Sequence, residues 1–324
     1  MNFSESILRH HDEDGFGRLA LELFRRTLEH NPVYAEYVSV LQIDPETIRV
    51  PGDIPCLPVG FFKTREVYAS ETAPGKIFLS SGTTGQERSR HSIADIDLYR
   101  RSLLEGFRYF YGDPGDYFIA ALTPSPKENP DSSLAFMIAE LISNTDGLFL
   151  GTTPPSYLPL LPLLPSRIKK KRLFLIGLAY VLLDLAGERV TVGPDPIVVE
   201  TGGMKGRQKE MIREELHQRI AEGFGVKSVH SEYSMSELLS QAWSKGEGVF
   251  RCPPWMKVLI HDPNDPMTLL NPGQTGGINI IDLANVHSCP FIATQDLGRL
   301  RNDGSFEVLG RFDYSELRGC SLMV

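Results

Sequence analysis

The sequence predicts an α/β fold, with helix-flanked, mostly parallel sheets and a smaller β-rich part toward the C-terminal end. Between about residues 76 and 240, apolar runs of strand length alternate with helix-period segments, the pattern of parallel sheets covered on both faces. Beyond Leu239 the pattern changes to short strands separated by turn-forming residues. The chain has 324 residues, 41% hydrophobic and 23% charged, enough for one large core or two smaller ones in an ordinary globular protein.

Phe16, Ala20, Phe24 and Leu28 recur at helical spacing, and Asn31-Pro32 closes that helix before a second over 34–41. Pro51, Pro55 and Pro58 punctuate a connector. A strand through Ile77, Phe78 and Leu79 then enters a Ser/Thr/Gly segment. Ser92 and Asp95 read as the capping signal of a helix carrying Ile96, Tyr99, Leu103 and Phe107. A buried strand over 116–122 and helices over 132–142 and 179–185 continue the alternation, with strands over 172–176 and 197–199. Ile212, Leu216 and Ile220 mark one face of a helix over 209–221, and a strand over 226–229 leads to Tyr233. Four later strands are expected over 256–261, 278–282, 291–294 and 306–309, with turns at Asp262-Pro263-Asn264-Asp265-Pro266, Asn271-Pro272-Gly273 and Asn302-Asp303-Gly304. The organisation expected is one large domain over 1–313, comprising a helical part to residue 75, an α/β part over 76–240 and a β-rich part over 241–313. A tail over 314–324 follows.

Composition excludes several function classes. A formal charge of −8 argues against a nucleic-acid partner, and the basic run Lys169-Lys170-Lys171-Arg172 has no second basic segment beside it, so it reads as a solvated helix end or loop. Cys56, Cys252, Cys289 and Cys320 lie far apart and form neither a zinc knuckle nor a disulfide framework, which fits a reducing cytoplasm. The acidic N-terminus lacks the regions of a signal peptide. The apolar run over 173–183 stops at Asp184, too short to insert stably in a membrane.

The chemistry-bearing stretch is Ser80-Ser81-Gly82-Thr83-Thr84-Gly85, six small residues after a strand and before Arg88 and Arg90. Gly82 and Gly85 allow backbone N–H groups to point into one concavity, and the hydroxyls add donors without bulk, which suits a phosphate. The plain alternative is a solvated surface loop. The Walker pattern is absent, because Gly202-Gly203-Met204-Lys205-Gly206 has the wrong spacing, and no dinucleotide fingerprint is present.

The Ser80–Gly85 string resembles the phosphate loop of the adenylate-forming superfamily, which includes acyl-CoA synthetases, luciferases and peptide-synthetase adenylation domains. Tyr233-Ser234-Met235-Ser236-Glu237 is similar to that superfamily's Tyr-Gly-x-Thr-Glu motif. The resemblance implies Tyr233 beside an adenine, the Ser236 hydroxyl at the α-phosphate and Glu237 as a magnesium ligand. It places Gly202 and Gly203 along the adenine, Asp296 on the ribose hydroxyls, and Arg311, within Gly310-Arg311-Phe312-Asp313, on the nucleotide. ATP and Mg2+ are the cofactors implied. Taken alone, Glu237 could instead be a surface glutamate at a helix start, and Asp296 and Arg311 a local turn or ion pair.

Two departures narrow the resemblance. Gln86-Glu87-Arg88 stands where many members carry x-Pro-Lys, so the cation for the outer phosphates falls to Arg88 or Arg90. The superfamily's usual C-terminal domain is expected to be absent after Asp313. With these departures the chain resembles the acyl-protein synthetases of the bacterial luciferase fatty-acid reductase complex, in which a cysteine near the C-terminus accepts the acyl group as a thioester. Cys320 is the matching position, and Arg311 or Arg318 nearby would favour its thiolate. The alternative is an inert terminal cysteine.

The resemblance implies an ATP-dependent ligase that adenylates a carboxylic acid, in particular a fatty acid, and loads it onto Cys320 for delivery to an acyl reductase or carrier protein. Other readings are coenzyme A or a carrier-protein thiol as acceptor, and a non-catalytic nucleotide-binding scaffold. Tyr157, Leu158, Leu160, Leu161, Leu163 and Leu164 are apolar enough for an acyl tunnel, or equally for core.

Overall fold

The computed structural model describes residues 6–9, 11–69, 73–81, 87–188, 192–202 and 211–312. Gly82, Thr83, Thr84, Gly85, Gly203 and Cys320 therefore lie outside the described residues.

Helices α1 (Glu13–His30) and α2 (Pro32–Val40) form an N-terminal hairpin whose joint is Asn31. Its backbone N–H closes α1 on Thr27, while its side chain caps α2 by accepting from Tyr34 N at 3.1 Å. That is the dual use expected of an Asn-Pro pair. Strand β1 (Leu57–Pro58) and helix α3 (Phe61–Thr64) lead to a separate two-stranded sheet of β2 (Lys76–Leu79) and antiparallel β3 (Arg90–Ile93).

The α/β unit follows as helix α4 (Ile96–Tyr111), strand β4 (Tyr117–Leu122), helix α5 (Ser133–Ser143) and strand β5 (Asp146–Phe149). The short helices α6 (Pro154–Tyr157) and α7 (Leu164–Ile168) precede strand β6 (Arg172–Leu178), helix α8 (Ala179–Gly187), strand β7 (Ile197–Thr201), helix α9 (Arg213–Phe224) and strand β8 (His230–Tyr233). The remaining strands are β9 (Ala242–Ser244), β10 (Val249–Arg251), β11 (Met256–Asp262), β12 (Asp265–Leu269), β13 (Thr275–Asp282), β14 (Phe291–Leu300) and β15 (Phe306–Arg311).

Strands β5-β4-β6-β7-β8 pair in parallel, and β8 continues through antiparallel β9, β10 and β15 into β14, β13, β11 and β12. The α/β part and the β-rich part thus share one 13-stranded sheet, counting β1, which pairs in parallel with β14. Along β4, Ile119 and Ala121 enter the core under α4 and α5, while Phe118, Ala120 and Leu122 enter the core under α8 and α9. Burial on both faces explains why these strands read as unbroken apolar runs. Phe107 of α4 meets Phe174 of β6 at 5.2 Å between ring centroids, and full burial of each ring contributes about 2–3 kcal/mol to holding α4 over the sheet.

Three expectations are corrected. Ser92 belongs to β3, so the cap of α4 is Asp95, accepting from Leu98 N at 2.8 Å. Helix α9 starts at Arg213, because Met211 is non-helical and Ile212 is extended. The strand expected over 226–229 is β8: Gly225 at φ +67° ends α9 in a left-handed turn, the chain needs the next residues to return to the sheet, and pairing with β7 begins at His230. The leucine-rich run divides, with Tyr157, Leu161 and Leu164 in the core beside α8 and Leu158 and Leu163 exposed. Lys171 and Arg172 of the basic run form ion pairs with Asp146 and Asp195. No helix among the described residues is long and apolar enough to cross a membrane.

Candidate functional site

The phosphate-type segment joins two antiparallel strands rather than a strand and a helix. Its neck is closed by Ser80 N donating to Ser89 O at 3.0 Å and Ser89 N donating to Ser80 Oγ at 2.9 Å. Arg88 adds to the closure, with Nε donating to Ser80 O at 2.5 Å and Nη2 to Leu79 O at 3.4 Å. Arg88, expected at the outer phosphates, thus has two donors on main-chain carbonyls, while Arg90 is exposed on β3 and Ser81 is exposed at the edge of the described chain.

Around the carboxyl ends of β7 and β8, where ligands collect in such sheets, several expected residues come together. Tyr233 ends β8 and its hydroxyl donates to Asp296 Oδ2 at 2.8 Å, across 63 residues of sequence. Burial first, then the Asp296 carboxylate, raises the Tyr233 hydroxyl well above its ordinary value, so it is a permanent donor. Asp296 on β14 faces Arg311 on β15 in register, with Arg311 Nε 3.5 Å from Asp296 Oδ1. The Arg311 side chain is 82% exposed, which leaves most of its donors open to a ligand. Gly202 follows β7 at φ +56°, a left-handed turn that glycine makes without strain. Beside it, Thr201 Oγ1 donates to Glu232 Oε2 at 2.6 Å and ties β7 to β8.

Glu237 lies four residues beyond Tyr233 and is 5% exposed. Burial raises its carboxyl above the ordinary glutamate range, opposed by a hydrogen bond from Ser89 and by the charges of Lys63 and Arg311. Through Ser89 the carboxylate is thereby joined to the neck of the phosphate-type segment. Among the described residues no group of three or more His, Cys, Asp and Glu could hold a metal. A lone buried carboxylate fits instead a magnesium ion that arrives with a polyphosphate, since magnesium takes one or two carboxylates with phosphate oxygens.

The segment around Glu237 is held by buried polar residues that carry no sequence signal. His91 Nδ1 lies 2.8 Å from Ser236 O and its Nε2 lies 3.0 Å from Asn285 Oδ1. Asn285 Nδ2 donates to Glu237 O at 2.8 Å and to Cys289 O at 3.0 Å. Asp282 accepts from Leu239 N at 2.9 Å, Ser240 N at 3.0 Å and Ser240 Oγ at 2.7 Å. Each is a single residue from a different element, so only the folded chain brings them together. Cys56 and Cys289 are core residues and burial pushes both thiols up, Cys289 to about 12, so neither is a nucleophile at neutral pH.

Burial lowers the His91 imidazole from 6.5 to about 4, against the two hydrogen bonds, which favour the imidazolium. A folded-state value below the unfolded one means that the stability held by neutral His91 is complete above about pH 6.5 and is lost as pH falls toward 4. The stability gap between wild type and His91→Gln is therefore expected to narrow by about 3 kcal/mol from pH 7 to pH 4. Urea unfolding at both values measures it, and a constant gap would show that His91 does not titrate with folding.

No family model and no curated protein matches the sequence. Solved structures do match in shape. 2-Hydroxyisobutyryl-CoA ligase in an open conformation, in complex with 2-HIB-AMP and CoA, gives a TM-score of 0.69 at 18% identity, over 93% of this chain and 70% of that one. ATP-bound MatB from Rhodopseudomonas palustris gives 0.54 at 18% identity, over 72% of this chain and 47% of that one. The chain thus spans 70% of the ligase's length and less than half of MatB's. At these identities the likeness shows the fold alone, and it is the α/β architecture with helix-flanked strands and a β-rich part that the sequence predicts.

Proposed function

We propose that this protein is an ATP-dependent acyl-activating enzyme of the adenylate-forming kind. The observation that carries the reading is the meeting of Tyr233, Asp296, Arg311 and Glu237 at the strand ends of a fold shared with ligases crystallised with acyl-AMP or ATP. Asp296 takes the ribose hydroxyls, Tyr233 and Gly202-Gly203 line the adenine, and Ser80 to Gly85 cradle the phosphates with Ser236 and an arginine, Arg88 or Arg90. Arg311 contacts the nucleotide. Magnesium, held by Glu237 and phosphate oxygens, would neutralise the triphosphate.

A carboxylate is a poor electrophile until its oxygen attacks the α-phosphorus of ATP, forming the acyl-adenylate as pyrophosphate leaves. The chain's part is to place two anions together and offset their charge. The Cys320 thiolate then attacks the acyl carbon, a thioester forms and AMP leaves, and the acyl group passes to an acyl reductase or carrier protein. The resemblance of the motif set to acyl-protein synthetases supports a fatty acid as the substrate and a cytoplasmic enzyme, built as a large domain over 1–313 with an acceptor tail over 314–324.

Carboxylate-driven exchange of pyrophosphate into ATP tests the first half. Cys320→Ser is expected to retain exchange while losing a hydroxylamine-sensitive acyl-protein, read by labelled acid on denatured protein. Labelling that survives the substitution would move the acceptor elsewhere. The CoA bound in the 2-hydroxyisobutyryl-CoA ligase structure favours a second reading, in which coenzyme A or a carrier-protein thiol is the acceptor and Cys320 a spectator. Competition between acceptors separates the two.

A further inference from the structure

We propose that Asn285 and His91 are positioning residues for Glu237, which fix the two carbonyls beside its carboxylate and lock it to the phosphate-type hairpin. The inference rests on the adenylation reading for the metal role of Glu237. Asn285 and His91 are each 1% exposed, so their hydrogen bonds face no competition from solvent.

The direction of the Asn285 amide is set by its neighbours. Its Nδ2 meets the carbonyls of Glu237 and Cys289, both pure acceptors; reversing the amide would set oxygen against oxygen twice. With the amide fixed, Oδ1 faces His91 Nε2, while the other ring nitrogen reaches the carbonyl of Ser236. Consecutive carbonyls, of Ser236 and Glu237, thus lie against this pair of side chains: Asn285 donates to Glu237 O, and neutral His91, with a single N–H, donates either to Ser236 O or to Asn285 Oδ1. Peptide planes on both sides of the Glu237 Cα are then set, and with them the direction in which its side chain leaves the backbone.

The grip also has an address. His91 sits on β3, two residues after Ser89, and Ser89 bonds the neck of the phosphate-type segment while its hydroxyl favours the charged form of the neighbouring Glu237 carboxyl. His91 meets Phe62 edge-on at 5.7 Å, which fixes the plane of the ring. Asn285 stands at the end of the turn opened by Asp282, whose carboxylate holds Leu239 and Ser240 on the far side of Glu237. The segment from Ser236 to Ser240 is therefore tied down on both sides, by β3 and by the turn after β13.

The test uses the full chain with Asn285→Asp, which keeps the shape and removes the donor, and His91→Gln, which acts from the other end. Metal-dependent ATP binding is read by calorimetry with and without Mg2+, and exchange kinetics are read as a function of Mg2+ and of acid. Positioning predicts that both variants lose at least tenfold of the Mg2+-dependent gain in ATP affinity, and that the Mg2+ concentration for half-maximal exchange rises at least tenfold. The KM for the acid stays within about twofold. A merely structural role lowers the melting temperature and the active fraction but leaves the Mg2+ dependence of the folded fraction at the wild-type value, which overturns the proposal. If Asn285→Asp fails to fold, His91→Gln decides alone. Wild type that binds ATP equally with and without Mg2+ also overturns it. Wild type that binds ATP with Mg2+ but exchanges with no acid sinks the adenylation reading instead, and a loss of the metal increment in the variants then still sustains the positioning role.

Discussion

Glu237→Gln is expected to lower carboxylate-driven ATP–pyrophosphate exchange by about 10²–10³-fold while leaving the fold intact. The substitution keeps volume and an acceptor for Ser89 but removes the charge that would hold magnesium. Burial already disfavours that charge, so folding at neutral pH gains from its removal or is unchanged. A structural role for Glu237 predicts the reverse, lower stability with proportionate loss of activity. Melting temperature and exchange rate measured on the same preparation separate the two, and exchange within about threefold of wild type would remove Glu237 from the site.

Asp296→Asn is expected to weaken ATP and AMP binding about 10–100-fold, because hydrogen bonds from hydroxyls to a charged carboxylate contribute about 1.5–3 kcal/mol. Asparagine still accepts from the Tyr233 hydroxyl, and the Arg311 contact, long at 3.5 Å and made by an exposed guanidinium, is of little worth to folding. Stability should therefore change by less than about 1 kcal/mol. Calorimetric titration with AMP reads the effect without any turnover, and unchanged affinity would take the ribose role from Asp296.

Much of the fold was legible because strands buried on both faces write themselves as apolar runs, as in 117–122 and 172–178, and because Asn31-Pro32 and Ser132 announce helix ends. Strands β3, β9 and β10 were not, since each is short and carries polar residues that the sheet buries or leaves at its edge. Ser92 looked like a helix cap only because a serine paired in a hairpin and a serine before a helix are the same letter; register with Ile77 decided it. The same cause displaced the strand before Tyr233: Ser231 and Glu232 are buried and polar, which no hydrophobic pattern finds.

The candidate site divides in the same way. Tyr233, Glu237, Asp296 and Arg311 stand in short strings that can be recognised one by one, and the fold brings Tyr233 and Asp296 within a hydrogen bond. The residues that hold them, Ser89, His91, Asp282 and Asn285, are isolated letters whose worth comes from partners up to 194 residues away. Nothing local marks them, because buried polar contacts are set by tertiary packing and not by sequence spacing.

Acyl activation is read in one step by exchange of labelled pyrophosphate into ATP with the purified full chain, Mg2+ and a panel of carboxylic acids from short to long chain. Exchange is expected to need an acid, to be strongest for one class of acid, and to be absent without Mg2+. ATP binding with no acid-dependent exchange from any member of the panel would contradict it and leave a nucleotide-binding scaffold.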